Sequence, residues 1–423
     1  MECFMSLKNN FLLLLIITCS LLTNNCVAQK TSPYLDSLLR AGLPKHTKLL
    51  GSPKKYKLQI IYTRVTRDEN NKPTFKNYFW NVDSNKFFYP ASLVKLPVSI
   101  MALEKLNSLK ENHIDKNTTM ITDSVFICGK KVYKDTTAEN RFPSIAHYIK
   151  KMFLVSDNYA FARTYEFLTC DYIHQTLEKW KFPNMRIVNR LDGSCKADTT
   201  KITSPVYFLS DKGDTLYKQP LTFYTYNKPH PLPKAKAGKA HTNESGKRVY
   251  QPKDFSTHNF MSLANCHEIL RRLVFYNHIN NQYNISNDDW QFLLKYLGMF
   301  PRESLYPAYN TKEYYDSFKK FIYYGSAVPT IPSDSVRVFN IVGRAYGFLS
   351  DCAYVADVKN NVEFMLSVTM YLNERDIIGT GKYEYDKLGM PFLKDLGNLI
   401  YNVEKDRKVK YKPDLQEFDL FKN

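Results

Sequence analysis

The chain has 423 residues and 59 Lys+Arg against 41 Asp+Glu, a formal charge of +18, with 44% hydrophobic and 24% charged residues. These proportions exclude wholesale disorder, and 20 Pro with 15 Gly exclude a collagen-like or Gly-rich fibre. No fixed-period repeat and no nucleic-acid module accompany the charge, which reads as a solubility trait, and the length suits two or three cores or one two-lobed domain.

At the N-terminus, Lys8 is the only basic side chain before the apolar run Phe11 to Ile17, and Cys26-Val27-Ala28 fits a small-x-small cleavage site. This predicts a secretory signal peptide over residues 1–28 and an exported, periplasmic chain from Gln29. The run is too short for a stable membrane span. Cys19 and Cys26 sit in poor lipobox contexts, so a lipoprotein is the weaker alternative. The remaining cysteines, Cys128, Cys170, Cys195, Cys266 and Cys352, are odd in number and scattered, with no C-x-x-C pair. They read mostly as buried thiols rather than a disulfide framework or a zinc site.

Lys57 to Val65 and Asn77 to Val82 are β-branched and aromatic, and the polar turn between them predicts a hairpin. Leu93 to Leu106 has helical spacing, with Ser92 at the N-cap or first turn. Ile145 to Leu168 is helical texture broken at Ser156-Asp157-Asn158. Residues from about 202 to 251 read as an insertion or flap. Two segments read as solvated and mobile: Lys234 to Lys239, and Glu404 to Lys412 within the charged tail of about residues 404–423. Leu263 to Phe275 and Asp289 to Leu297 are helices, and the Tyr- and Phe-rich stretch to Tyr324 reads as packing. Val336 to Val342, Cys352 to Val358 and the alternating Val362 to Leu372 are strands, and Tyr385 to Val403 is a closing helix. One sheet built from both chain ends follows.

Two motifs carry chemistry. In Ser92-Leu93-Val94-Lys95, the serine and lysine lie one helical turn apart on one face. A helix N-terminus disfavours a protonated lysine, and a buried Lys95 can then take the proton from Ser92. In Ser156-Asp157-Asn158, a second hydroxyl can relay a proton to a leaving nitrogen, and the amide can orient Lys95 or substrate.

With these motifs at this spacing, the chain resembles the penicillin-recognising serine hydrolases, class A β-lactamases and D,D-peptidases, and most closely secreted class A-like proteins of the Bacteroidetes type. The resemblance spans most of Lys57 to Val403. It implies an α+β fold: an antiparallel sheet flanked by helices plus an all-helical lobe, over residues 29–423. It implies catalytic roles for Ser92, Lys95, Ser156 and Asn158, and an oxyanion hole from the backbone N–H groups of Ser92 and Arg344. Gly343, Arg344 and Tyr346 would line the substrate. No cofactor and no metal are implied. The partner is a β-lactam or peptidoglycan-like peptide, not nucleic acid, and a monomer is expected.

The chain departs from the family twice. The late strand reads Ile341-Val342-Gly343-Arg344-Ala345-Tyr346-Gly347, with Ile341 where the family has a lysine. Lys236-Ala237-Gly238 offers a Lys-x-Gly elsewhere, but no strand is expected to carry it. In the loop Arg190-Leu191-Asp192, Cys195 stands where the class A glutamate for deacylation falls, with Asp192 or Asp198 as substitutes. Asp351 is expected to cap a turn. These features support an acylating serine hydrolase, and leave a D,D-peptidase-like acyl transferase and a binding or sensing protein as alternatives.

Overall fold

The computed structural model describes residues 28–124, 131–193, 202–232, 234–280, 282–332 and 335–421. The leader therefore lies outside the described residues, except its last residue, as do Cys128, Cys195 and Asp198.

After helix α1 (Pro33–Gly42), strands β1 (Gln59–Arg67) and β2 (Pro73–Trp80) form the expected hairpin. Its turn is closed by the Asp68 carboxylate, which accepts the Asn70 and Lys72 backbone N–H groups at 2.9 Å. The helical lobe holds α2 (Lys95–Ser108), α3 (Ile145–Val155), α4 (Asn158–Leu168) and α5 (Cys170–Lys179). Helix α2 is buried nearly all round, as suits the central helix of a lobe. Helices α6 (Leu263–Val274) and α7 (Asn287–Gly298) each start in a capping box, at Ser262 and Ser286. Strands β3 (Arg337–Ala345), β4 (Phe348–Asp357) and β5 (Val362–Tyr371) precede the closing helix α8 (Met390–Lys405).

The five strands form one sheet in the order β3-β4-β5-β1-β2, every neighbouring pair antiparallel, so both chain ends build it. Leu35 and Leu39 of α1, with Phe392, Leu393 and Leu396 of α8, cover one face, against Ile60, Val355 and Leu366. The other face carries Ile61, Ile341 and Met365 into a core shared with Ile269 and Leu273 of α6 and the helical lobe. This is the mixed α/β arrangement expected from the sequence. No helix among the described residues is long and apolar enough to cross a membrane.

Strand β5 alternates apolar and polar side chains, yet it is buried along its whole length. Because α6 covers the polar face, each polar group there needs a partner. Glu363 accepts two hydrogen bonds from Arg67, at 2.7 and 3.0 Å, and Ser367 meets His267 at 2.8 Å. The Glu404 to Lys412 stretch is tied to the sheet rather than solvated throughout: Glu404 accepts from Arg64 and Arg407, and Arg407 donates to the Val65 carbonyl at 2.8 Å. The stretch after residue 202 starts as part of the helical lobe, where Val206–Leu209 pairs antiparallel with Thr119–Thr122. Lys236–Ala237 does lie on a strand, a two-residue one paired with Lys253–Asp254, contrary to expectation. Cys170, Cys266 and Cys352 are buried free thiols.

Candidate active site

The segment before α2 is one tight 3₁₀ turn, Ala91–Val94, so the α-helix begins at Lys95 itself and Ser92 sits in the turn ahead of it. Ala91 is buried with φ +47°, a left-handed conformation that costs a residue with a Cβ about 1–2 kcal/mol. The sheet packs tightly against this turn. A Cβ on Gly343 would stand 2.3 Å from the Pro90 carbonyl oxygen, so only glycine lets the edge strand β3 approach this turn.

Ser156 closes α3 in the left-handed region at φ +62°, its N–H accepted by Met152. The Asp157 carboxylate then caps α4, accepting the Ala160 N–H at 2.9 Å, and Asn158 is the first residue of that helix. The break between two helices thus aims Ser156 and Asn158 at Lys95.

Lys95 is wholly buried and has no carboxylate partner among the described residues. Its Nζ lies 3.0 Å from Ser92 Oγ, 3.0 Å from Ser156 Oγ, 2.7 Å from Asn158 Oδ1 and in contact with the Ser156 carbonyl. Burial holds its pKa well below the usual lysine value, the Lys319 charge lowers it further, and Asp157 opposes both. Hydrogen-bond inventory says what a neutral Lys95 would do. A neutral amine has two N–H donors and one lone pair, and the two partners that can only accept are Asn158 Oδ1 and the Ser156 carbonyl. With the donors engaged there, the lone pair of the neutral amine would face the Ser92 and Ser156 hydroxyls, either of which could donate to it. The structure therefore brings Ser92, Lys95, Ser156 and Asn158 together around one basic nitrogen.

The late strand contributes less than the sequence suggested. Ile341, Gly343 and Ala345 share the face toward Ser92, and Ile341 is fully buried in the core. Arg344 points to the opposite face, its guanidinium 5.8 Å from the centroid of the Tyr385 ring. A charge supplied to the site by its side chain is therefore not seen, and its backbone stays at the edge near the turn. Tyr346, at φ +55° in the β3–β4 turn, packs edge-on against Tyr89 at 5.1 Å and Phe255 at 5.4 Å. Through Tyr89 it borders the segment leading to the nucleophile turn, and Phe255 follows the inserted stretch. Asp351 is a buried strand residue, not a turn cap. It accepts the Ile322 N–H at 2.9 Å and an Asn340 amide N–H at 2.8 Å, and burial pushes its pKa up to about 7.

Lys319 was not legible as a site residue. It is buried in the aromatic stretch read as packing, and donates to the carbonyls of Phe153 at 2.7 Å and Met152 at 3.1 Å, in the last turn of α3 before Ser156. Burial lowers its pKa to about 7. The one available signal was the dipeptide Lys319-Lys320 inside an aromatic run. Lys320 beside it donates to the carbonyl of Val338 at 2.8 Å and to Asn340.

In the loop after α5, Arg190 pairs with Glu166 at 2.7 Å, and Asp192 lies 3.9 Å from Arg163. Among the described residues no carboxylate accepts a hydrogen bond from Ser92 or Lys95.

Residues 53–211 match the family model described as the β-lactamase enzyme family. No curated protein matches the chain. Among solved structures, a β-lactamase from Streptosporangium roseum is 13% identical, covering 85% of this chain and 98% of that one, with a TM-score of 0.46. One from Sphaerobacter thermophilus is 10% identical, covering 87% and 97%, with a TM-score of 0.45. The β-lactamase from Streptomyces albus G is 12% identical, covering 84% and 98%, with a TM-score of 0.42. The matched stretch contains Ser92, Lys95, Ser156 and Asn158, and over those residues the chain is similar to the β-lactamase enzyme family.

Proposed function

We propose that the chain is an exported serine hydrolase of the class A β-lactamase type, acylated at Ser92 by a β-lactam or a peptide-like amide, and slow to release the acyl group. The observation that carries this reading is the placement of Ser92, Ser156 and Asn158 within hydrogen-bond reach of the buried Lys95 amine. Ser92 Oγ attacks the carbonyl carbon while Lys95 Nζ takes its proton. The proton passes through Ser156 Oγ to the leaving nitrogen, and the C–N bond breaks. The backbone N–H groups of Ser92 and Arg344 receive the oxyanion. Deacylation needs a base for water. Cys195 occupies the family's glutamate position, and no described carboxylate replaces it at Ser92. The acyl-enzyme is therefore long-lived, as in a D,D-peptidase-like acyl transferase. The leader supports a periplasmic protein starting near Gln29, whose N–H bonds the Val82 carbonyl at 2.8 Å.

Intact-protein mass spectrometry after brief and long exposure to benzylpenicillin tests this. A β-lactam keeps its leaving nitrogen, so the wild type should gain the mass of one whole penicillin and hold it, and Ser92→Ala should gain nothing. Equal labelling of both proteins would refute the serine assignment. Absence of any gain would favour the binding or sensing protein that the apolar Ile341 also suits.

Lys319 tunes the same base. Below about pH 7 its ammonium is charged, so protonating Lys95 means placing a second cation beside it. Lys319→Met should raise the Lys95 pKa and move the acidic limb of the acylation rate to higher pH, by about one unit. An unshifted limb in a folded variant would limit Lys319 to packing.

A further inference from the structure

We propose a second binding site, for a small multiply charged oxyanion, in a lysine-lined cavity at the end of the sheet. The cavity measures about 420 Å³, within the range of small-molecule sites. Lys54, Lys57, Lys86, Lys234 and Lys236 line it, and no carboxylate does. None of Ser92, Lys95, Ser156 or Asn158 lines it either, so the site is independent of the hydrolase reading.

Three segments far apart in the sequence supply these lysines, and each is held in place. Lys57 leads into β1, Lys86 follows the β2 strand in the segment toward Ser92, and Lys236 lies on the short strand paired with Lys253–Asp254. Lys57 is only partly exposed, with its ammonium 5.6 Å from the centroid of the Phe348 ring and 5.7 Å from that of Tyr371. The carboxylates that offset this charge act from outside the lining. Asp83 lies 3.6 Å from Lys86, Asp254 is adjacent to Lys236, and Asp376 acts on Lys57. Four of the five lysines are solvent-exposed and these carboxylates offset part of their charge, so what remains is a partial positive field that an anion in the cavity would offset. The same field concentrates anions there. Phe87 and Pro53 add an apolar wall, while Asn81 and Asn85 add amides. Lysine ammoniums are compact point charges without the planar fork of arginine, so the site suits tetrahedral and planar oxyanions alike. The Lys234 to Lys236 stretch, which in sequence looks like a solvated charge run, is thereby part of a built cavity.

Calorimetric titration of the purified protein with pyrophosphate, and separately with citrate, tests the proposal. Saturable one-to-one binding of at least one of them is expected. It should weaken about tenfold or more in Lys57→Gln/Lys236→Gln, which removes two charge-assisted hydrogen bonds. It should change less than about twofold in Lys72→Gln/Lys312→Gln, which removes the same net charge from exposed lysines elsewhere. Equal weakening by the two double variants would overturn the site in favour of general charge attraction. So would the absence of saturable binding with both anions.

Discussion

Lys95→Met is expected to slow acylation by benzylpenicillin about a thousandfold or more, the range set by removing a positioned general base. Methionine keeps the volume and the burial but has no lone pair of comparable basicity, so Ser92 keeps its proton. The wild-type rate should rise with pH as the Lys95 ammonium loses its proton, and this limb should vanish in the variant. Stability should move the other way. Lys95 holds its proton less tightly folded than unfolded, so the unfolded chain binds more protons between the folded and the unfolded pKa. The wild type therefore gains stability as pH rises through that window toward the ordinary lysine value, and Lys95→Met should show a smaller gain there. Stopped-flow acylation across pH, alongside thermal melts at the same pH values, separates the two effects. A variant that acylates at the wild-type rate while folding normally would remove Lys95 from the chemistry.

The parts of this site that could be read from sequence are those set by local geometry. A serine and a lysine three residues apart share a helix face whatever the rest of the chain does. The alternation of Val362 to Leu372, and the Asp68 turn between two β-branched runs, likewise carry their own structure. Other features exist only through long-range packing. Lys319 meets carbonyls 166 and 167 residues away in the chain. The polar face of β5 reads as solvent-facing until α6 is placed over it. The motif places Arg344 at the strand edge but does not give its side-chain direction, which strand alternation turns toward Tyr385. The Glu404 to Lys412 stretch reads as solvated by composition because the groups that hold it, Arg64 and the Val65 carbonyl, lie 340 and 342 residues away in the chain.

Gly343→Ala is expected to lower acylation about a hundredfold, with Ser92, Lys95, Ser156 and Asn158 all retained. The added Cβ would lie 2.3 Å from the Pro90 carbonyl oxygen and 3.2 Å from Leu93 Cγ. The first neighbour is backbone and cannot rotate aside, so β3 and the Ser92 turn must separate. Strand β3 is held on its other side by β4, where Gly343 pairs with Ser350, so the turn is the partner that gives way. Two consequences follow from one displacement. The left-handed Ala91 turn shifts off the strand, and the backbone N–H groups of Ser92 and Arg344, the proposed oxyanion donors, move apart. Losing one oxyanion donor costs about a hundredfold to a thousandfold in rate, which sets the expected size. The Lys95 environment lies on the far side of Ser92, against α3 and α4, so the pH at which acylation reaches half its plateau should stay near the wild-type value. This contrasts with Lys319→Met, which moves that pH. A low plateau with an unmoved limb would place the β3 edge in transition-state stabilisation, whereas a full plateau in Gly343→Ala would show that the turn does not depend on the strand.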